Sequence, residues 1–284
     1  MLDWWLVIVL GVGLGFLVGI YASLSGTGGG SLYGPIFESM LFMDVHIAIG
    51  TSLFVVFLNS ISTSHAYIRQ KRIDYKVSFY LIVFSTPFAI AGSILTEFIV
   101  TGFDGGKTVM KLIFYAFTLA AGCYMLLKKS DKAAIAPPGA CNDRWYFKQC
   151  IVDCDGTEFK YEFSFKKIVP WAMLAGFLSG FLGIGGGLVM VPAFTIICTM
   201  PAHVVVATSG FMLLFNSLVG TITKIAVDNV DIVIGLIFAA GSIFGAQLGA
   251  KIAKGTKNNT LKNIVSIFLV ALAVYKLVDI ALLS

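Results

Sequence analysis

The chain has 284 residues, of which 58% are hydrophobic and 12% are charged, and its net charge is +5. Soluble domains have roughly 45–50% apolar and about 25% charged residues, so this composition excludes an ordinary soluble enzyme. Of the 35 charged residues (20 basic and 15 acidic), 14 lie within residues 128–167. We therefore predict a first membrane repeat (1–127), a polar linker (128–167) and a second membrane repeat (168–284), with a lipid bilayer and no nucleic acid as partner.

The membrane spans are predicted from the uncharged runs, since about 20 residues of helix cross a hydrocarbon core. The runs, in chain order, are Trp4–Phe37, Val45–Ile68, Val77–Thr96, Leu112–Leu127, Ile168–Thr223, Ile232–Ala250 and Asn263–Tyr275. The first and fifth runs have 34 and 56 residues, which is too long for one helix, and each contains a glycine triplet. We expect both of these runs to be broken.

The two membrane blocks share an internal repeat, because residues 19–92 align without a gap onto residues 176–249 at a constant offset of 157. The matched pairs include Gly28-Gly29-Gly30 with Gly185-Gly186-Gly187, Pro35 with Pro192, His46 with His203, Thr51-Ser52 with Thr208-Ser209, Asn59 with Asn216, and Asp74 with Asp231. A gapless register that aligns polar residues as well as glycines predicts an internal duplication.

Corresponding loops of the two halves carry opposite charge. In the first half the loop after the Asn59 helix is basic and the next loop is neutral. In the second half the first loop has one base, Lys224, and two acids, Asp228 and Asp231. The next loop has four lysines and no acid. Because cytoplasmic loops are enriched in Lys and Arg, this swap predicts that the halves are inverted in the membrane, as in many secondary transporters.

The predicted fold is therefore an all-α polytopic membrane protein with two inverted-topology repeats. Each repeat has a glycine-broken helix pair followed by three transmembrane helices, and a small cytosolic β-hairpin linker joins them. The protein is expected in the plasma membrane as a multi-pass chain, with the linker in the cytoplasm and both termini outside. The sequence leaves open whether each broken pair crosses the bilayer fully or forms a re-entrant hairpin.

The glycine triplets predict a substrate site. Three consecutive glycines weaken a helix, and broken backbone at membrane depth is tolerated where it is buried in protein or lines a water-filled cavity. The free N–H groups at the start of the following half-helix form an anion site. The alternative is that these glycines only let helices pack closely. The predicted substrate-binding glycines are Gly28, Gly29, Gly30, Gly185, Gly186 and Gly187.

The segment Gly-Phe-Leu-Ser-Gly-Phe-Leu-Gly-Ile-Gly-Gly-Gly-Leu-Val-Met-Val-Pro (176–192), followed by Ala207-Thr208-Ser209, resembles the sulfite exporter TauE/SafE family of membrane permeases. The resemblance covers both halves, although the first half is more divergent. It implies transport of small sulfur-containing anions, such as sulfite or organosulfonates, without ATP hydrolysis by this chain. It fixes neither the individual substrate nor the direction of transport.

Neutral polar residues on two spans are further candidates for the site. A spacing of seven residues puts Ser52 and Asn59 on one helix face, and the second half repeats the pattern. Neutral donors bind oxyanion oxygens without trapping the ion. The alternative is interhelical hydrogen bonding. The predicted substrate-binding set is Thr51, Ser52, Asn59, Thr208, Ser209 and Asn216.

Coupling and gating candidates are fewer. They are His46, His65, His203 and Gln247. For the matched pair His46 and His203 a helix-entry hydrogen bond competes with proton coupling, and His65 is either a gate or an interfacial residue. No acidic residue is central in a predicted span, which argues against a carboxylate relay. Proton coupling, sodium coupling and uncoupled, gradient-driven movement all stay open.

The linker contains Asp155-Gly156 between two β-prone stretches, the second of which alternates aromatic and polar residues from Phe159 to Phe165. This pattern predicts a β-hairpin, which must pack on the membrane domain or on a second copy in a homodimer because an isolated hairpin is only marginally stable. The spacing of Cys141, Cys150 and Cys154 fits no zinc site. In a cytosolic linker these are expected to be reduced thiols, whereas in an extracellular linker the alternative is a Cys150–Cys154 or Cys141–Cys150 disulfide.

We therefore predict a transporter rather than an enzyme, without metal or cofactor, that exposes an anion site between the two breaks alternately to each side. No catalytic constellation is present in the sequence. Two alternatives remain: an integral-membrane accessory subunit whose breaks serve packing and whose linker recruits a partner, and an anion channel.

Overall fold

The computed structural model describes residues 4–102, 105–127, 146–154, 156, 158–198 and 200–253, together with positions 270, 271, 274, 277 and 278. The elements are α1 (Trp4–Ser25), α2 (Gly30–Met40), α3 (Val45–Arg69), α4 (Tyr75–Gly102), α5 (Gly106–Leu127), β1 (Tyr146–Val152), β2 (Glu158–Ser164), α6 (Phe165–Leu182), α7 (Gly187–Ile197), α8 (Ala202–Ile225) and α9 (Ile232–Ile252).

The predicted all-α membrane fold with one small two-stranded sheet is confirmed. In the described ranges, six helices are long and apolar enough to cross a membrane, namely α1, α3, α4, α6, α8 and α9. The short helices α2 and α7 have 11 residues each, or about 16 Å, which is roughly half of a hydrocarbon core. The predicted span Asn263–Tyr275 lies mostly outside the described residues.

Both long apolar runs are broken at their glycine clusters, as predicted. Gly28 and Gly29 have φ values of 80° and 76°, and the matched Gly185 and Gly186 have 80° and 78°. Glycine adopts this left-handed region without the steric penalty that a Cβ brings, so the triplets allow α1 and α6 to end and α2 and α7 to begin immediately.

The two halves interlock, because the first helix of each half packs along the fourth helix of the other half, α1 on α9 and α6 on α4. Small residues allow this close approach. A Cβ built on Gly19 of α1 would lie 2.4 Å from the carbonyl oxygen of Ser242, and one on the matched Gly176 of α6 would lie 2.0 Å from that of Ser85. The same contact thus occurs twice at the offset of 157, while the inverted orientation in a bilayer stays a prediction.

The predicted β-hairpin is present and packs on the membrane domain. Strands β1 and β2 pair antiparallel, with Gln149 opposite Tyr161. Tyr161 is buried in a cluster with Leu81 of α4 and Ile168 of α6. The strand prediction was too long at its end, since Phe165 begins α6. Asp155 of the predicted turn lies outside the described residues.

Candidate functional site

The two glycine breaks lie side by side in the interior of the protein. A Cβ built on Gly30, the first residue of α2, would lie 2.5 Å from the carbonyl oxygen of Gly183, where α6 ends. A Cβ on Gly187, the first residue of α7, would lie 2.5 Å from the carbonyl oxygen of Gly26. All four glycines are buried. The structure therefore brings together the two segments that the sequence predicted as one site.

The side chains of Val56 and Leu213 flank both breaks. They are matched residues of α3 and α8, and both are buried. A Cβ on Gly28 would lie 2.9 Å from Leu213 and 3.1 Å from Val56, and a Cβ on Gly185 would lie 3.0 Å from Val56 and 3.2 Å from Leu213. The breaks thus share an apolar lining to which each half contributes one residue.

The start of each short helix has backbone N–H groups without a hydrogen-bond partner among the described residues. In each half the carbonyl oxygen of the cap residue, Gly29 or Gly186, accepts two bonds from the first turn of the short helix, whereas four backbone N–H groups around it donate to no acceptor among the described residues. These groups belong to Gly28, Gly29, Gly30, Ser31, Gly185, Gly186, Gly187 and Leu188. Unpaired N–H groups at a helix start carry partial positive charge, so the site offers neutral donors to an anion.

Two matched serines hold the breaks from the opposite half. Ser52 Oγ donates to the carbonyl oxygen of Gly183 at 3.0 Å, and Ser209 Oγ makes the matched bond to Gly26 at 3.0 Å. Each hydroxyl also lies near the carbonyl three residues earlier in its own helix. The single proton of each hydroxyl is therefore directed at carbonyl oxygens, and both serines position the breaks. A direct contact of these serines with substrate stays a prediction.

The neighbouring threonines, Thr51 and Thr208, bond α3 and α8 to the segments that precede α9 and α4. Thr51 Oγ1 accepts from the backbone N–H of Asp231 at 2.9 Å, and Thr208 Oγ1 accepts from that of Asp74 at 3.2 Å. These bonds are again matched at the offset of 157. Both threonines are fully buried, and they connect each site helix to the start of the fourth helix of the other half.

Asn59 and Asn216 retain unused donors. Both are 1% exposed. The amide oxygen of Asn59 accepts from Ser242 Oγ at 2.8 Å, and that of Asn216 accepts from Ser85 Oγ at 2.8 Å. Among the residues that the structure describes, neither amide nitrogen has a hydrogen-bond partner.

The orientation of the Asn59 amide is fixed by a donor chain. Tyr33 donates through its hydroxyl to Ser242 Oγ at 2.8 Å, so the serine proton is free to bond to the amide oxygen of Asn59. The –NH₂ group must then point away from the serine. An –NH₂ group that makes no hydrogen bond within the described part of the protein is available to donate to a ligand.

The four coupling or gating candidates lie elsewhere. His46 and His203 are half-buried in the first turns of α3 and α8, and His203 Nδ1 is 3.5 Å from Arg72. His65 is exposed on α3. Gln247 donates to the carbonyl and hydroxyl oxygens of Ser62 at 3.0 and 2.9 Å. Within the described part of the chain, no hydrogen bond of these four residues reaches a glycine break, and their roles stay predictions.

The β-hairpin is bonded to the loop between α3 and α4. Arg72 Nε donates to Asp153 Oδ2 at 2.7 Å, and Tyr161 donates to the carboxylate of Asp74. Burial raises the pKa of Asp153, but hydrogen bonds from Arg72 and from the backbone N–H of Cys154 outweigh this effect and hold the pKa below its usual range. Burial and the bond to Asp74 raise the pKa of Tyr161. Sequence reasoning missed these contacts, since only tertiary structure brings the linker to this loop.

Lys224 was assigned to a loop from the sequence, and this assignment was wrong. It lies in the last turn of α8 and is 0% exposed. Its Nζ donates to the carbonyl oxygen of Ser93 in α4 at 3.1 Å. The repeat contained the signal, because the matched residue in the first half is Tyr67, which lies inside a predicted span.

Comparisons with known proteins agree on one family. The profile described as Sulfite exporter TauE/SafE matches residues 11–276. A probable membrane transporter protein of Bacillus subtilis, YunE, is 31% identical over 92% of this chain and 94% of its own length. A probable membrane transporter protein of Methanocaldococcus jannaschii is 30% identical over 93% of both chains. The Sulfite exporter TauE/SafE family protein 6 of Arabidopsis thaliana is 25% identical over 45% of this chain and 30% of its own length. No solved structure matches significantly.

Proposed function

The chain belongs to the sulfite exporter TauE/SafE family of membrane transporters, and we propose that it is a secondary transporter of small sulfur-containing anions such as sulfite or organosulfonates. The observation that carries the proposal is the set of unpaired donors at the two adjoining breaks. The anion binds there to backbone N–H groups of both short helices and to the amide groups of Asn59 and Asn216.

The donor chemistry supports an oxyanion substrate. A sulfite or sulfonate group has three oxygens that accept several hydrogen bonds at once, and the breaks offer neutral donors from two sides. Neutral donors suit a carrier because they bind an anion without the strong trap of a direct ion pair, so the ion can leave again. The choice of sulfur over other oxyanions rests on the family and not on the geometry.

Reciprocal bonding between the halves supports an alternating-access cycle. The Ser52–Gly183 bond and the Ser209–Gly26 bond each join one half to the break of the other half. In the proposed cycle, the helices of one half tilt against those of the other half around the breaks. One face of the site opens while the matched contacts keep the other face closed.

The test is transport by the purified protein in proteoliposomes. Uptake and efflux of sulfite, thiosulfate, sulfate, taurine and sulfoacetate are measured for wild type and for Asn59→Ala and Asn216→Ala. We expect saturable movement of at least one sulfur anion, which each variant slows. The control is Thr101→Ala, which removes a hydroxyl bonded only within its own helix at an exposed position.

Three results would contradict the proposal. Movement of none of these anions argues for the accessory subunit, and a stable partner retained in mild detergent would support that alternative. A non-saturating current without counterflow indicates a channel instead of a carrier. Equal activity of wild type and both asparagine variants would show that the anion does not bind between the breaks. Replacing sodium by potassium and collapsing the proton gradient separately identifies the coupling ion.

A further inference from the structure

Lys224 is a buried cation without an ion pair. Two basic side chains of the described residues are almost fully buried, Arg72 at 4% and Lys224 at 0% exposure. Arg72 is paired with Asp153. No carboxylate oxygen within the described ranges lies at salt-bridge distance from the ammonium of Lys224, whose hydrogen-bond partner is the carbonyl oxygen of Ser93. Buried charges are normally paired because an isolated buried charge is costly.

The acid next along α4 is bonded elsewhere. Glu97 follows Ser93 by one helical turn, and it accepts a hydrogen bond from the side-chain amide of Asn229. Its carboxylate therefore does not form a direct ion pair with Lys224. The negative charge of Glu97 acts on the ammonium from a greater distance, but no carboxylate neutralises Lys224 by direct contact among the described residues.

Lys224 lies close to the break between α6 and α7. A Cβ built on Gly50 of α3 would lie 3.2 Å from Cβ of Lys224. Ile49 and Ser52, within one turn of Gly50, contact Gly183 at the end of α6. Neighbouring positions on one helix turn are about 5–6 Å apart, so roughly 10 Å separates Lys224 from the break.

The packing of this position does not require a charge. At the matched position of the first half, Tyr67 is also buried, and its hydroxyl donates to the carbonyl oxygen of Ser23 at 2.9 Å. A neutral donor thus satisfies a helix carbonyl there. The positive charge at residue 224 is a property of the second half alone.

We propose that Lys224 supplies the counter-charge for the anion bound between the two breaks, and that it thereby sets a preference for anions of higher charge. This inference rests on the proposed function and adds the residue that determines charge selectivity. Lys224 acts through the field and does not contact the anion. At about 10 Å and an effective dielectric constant of about 20, one positive charge changes affinity roughly tenfold for each negative charge of the substrate.

The test compares a dianion with a monoanion of related shape, thiosulfate and methanesulfonate, in the proteoliposome assay at neutral pH. Lys224→Gln removes the charge but keeps a donor for the Ser93 carbonyl, and Lys224→Arg keeps the charge. We expect Lys224→Gln to lower the apparent affinity for thiosulfate roughly a hundredfold and that for methanesulfonate roughly tenfold. The ratio of the two affinities then changes about tenfold. Lys224→Arg and the matched control Tyr67→Phe leave this ratio within a factor of two of wild type.

A structural role for Lys224 gives a different result. Loss of folding or of a conformational step lowers transport of both anions by the same factor and leaves the ratio unchanged, which overturns the inference while transport by wild type upholds the proposed function. If Lys224→Gln does not fold, Lys224→Met is read in the same way. If wild type moves neither these two anions nor any other sulfur anion of the panel, both proposals are overturned together; if it moves others of the panel, the same ratio is measured for a dianion and a monoanion that it does move.

Discussion

The hydroxyl of Ser52 in the first half donates a 3.0 Å hydrogen bond to the carbonyl oxygen of Gly183, at the point where the broken helix of the second half ends. Ser209 and Gly26 form the matched bond in the opposite direction. Each half therefore satisfies a helix-end carbonyl of the other half. Because broken backbone inside a membrane protein needs such partners, these two bonds maintain the breaks on which the proposed site depends.

Removing either serine hydroxyl should loosen the breaks. We expect Ser52→Ala and Ser209→Ala each to lower the stability by about 1 kcal/mol, the usual contribution of one hydrogen bond, and to do so by similar amounts because their environments match. Thermal unfolding in detergent measures the effect, with Thr101→Ala as the control. A large loss for one serine and none for the other would contradict the reciprocal role.

Alanine at the two cap glycines, Gly29 and Gly186, should lower the stability of the protein by unequal amounts. At Gly186 the new Cβ would lie 2.5 Å from the backbone oxygen of Ala175, whereas at Gly29 it would lie 2.9 Å from the side chain of Val18. Both positions have positive φ, which costs roughly 1–2 kcal/mol for alanine. Because backbone yields less than a side chain, we expect Gly186→Ala to be the more destabilising variant.

The matched control for the cap glycines is Gly13→Ala. A Cβ at Gly13 meets nothing within 4 Å and lies within helix α1. Alanine there should raise the melting temperature or leave it unchanged, since alanine favours a helix by up to about 1 kcal/mol over glycine. If Gly13→Ala lowered the melting temperature as much as Gly186→Ala, the loss could not be assigned to the breaks.

The two asparagines should determine affinity more than stability. Hydrogen bonds to a charged group contribute about 1.5–3 kcal/mol, so we expect Asn59→Ala and Asn216→Ala each to weaken substrate binding by roughly 10- to 100-fold. Gln70→Ala is the control. Gln70 caps the end of α3, away from the breaks, and its side-chain amide donates to the carbonyl oxygen of Ala250 in α9. Substrate-induced thermal shifts and transport kinetics report the change. Equal effects of all three variants would count against the site.

The ion pair between Arg72 and Asp153 should make stability depend on acid pH. The folded-state pKa of Asp153 lies below the usual value of about 4, so its contribution is complete at neutral pH and is lost as the pH falls through the folded-state pKa. Asp153→Asn leaves a buried cation unpaired, which costs about 3–5 kcal/mol at neutral pH and removes this part of the acid dependence. Melting curves between neutral and acid pH measure both effects.

The control for this ion pair is Asp44→Asn. Asp44 pairs with Lys107, but the two side chains are 51% and 53% exposed. A solvent-exposed pair contributes about 1 kcal/mol at most, so this variant should differ little from wild type. A loss at Asp44 as large as that at Asp153 would argue against the hairpin as a buried attachment of the α3–α4 loop.

Thiol labelling tests the predicted orientation. Cys150 and Cys154 are exposed on the hairpin, whereas Cys198 is buried. In a chain with Cys123 and Cys141 replaced by alanine, an impermeant maleimide should label the hairpin in inside-out vesicles and not in intact cells. Cys198 should react only after denaturation. Labelling of the hairpin from outside intact cells would reverse the orientation.

Much of the fold could be predicted because its signals are local. Glycine triplets inside two long apolar runs predicted the breaks, and Asp155-Gly156 between β-prone stretches predicted the hairpin. The constant offset predicted which residues of the two halves are matched. Each triplet is followed at the same distance by a proline, Pro35 or Pro192, and this proline lies inside the short helix.

The candidate site was predicted in part. The sequence named Ser52 and Asn59 as one polar face, but the structure gives them different partners. Ser52 bonds to the carbonyl oxygen of the opposite break, whereas Asn59 receives the proton of Ser242 and keeps its –NH₂ group unpaired. Both are neutral polar residues on one helix face, so only the positions of the neighbouring helices decide which partner each one has.

The sequence by itself determined the membrane class, the duplication and the two breaks, because hydrophobicity, repetition and the conformational freedom of glycine are properties of the chain. The tertiary structure alone decided which half supplies the partner for each break, that Lys224 is buried without an ion pair, and that Arg72 holds the hairpin. These facts depend on which elements pack together across 81 to 183 residues of sequence. Such contacts follow from side-chain fit and burial, which periodicity along one helix does not specify.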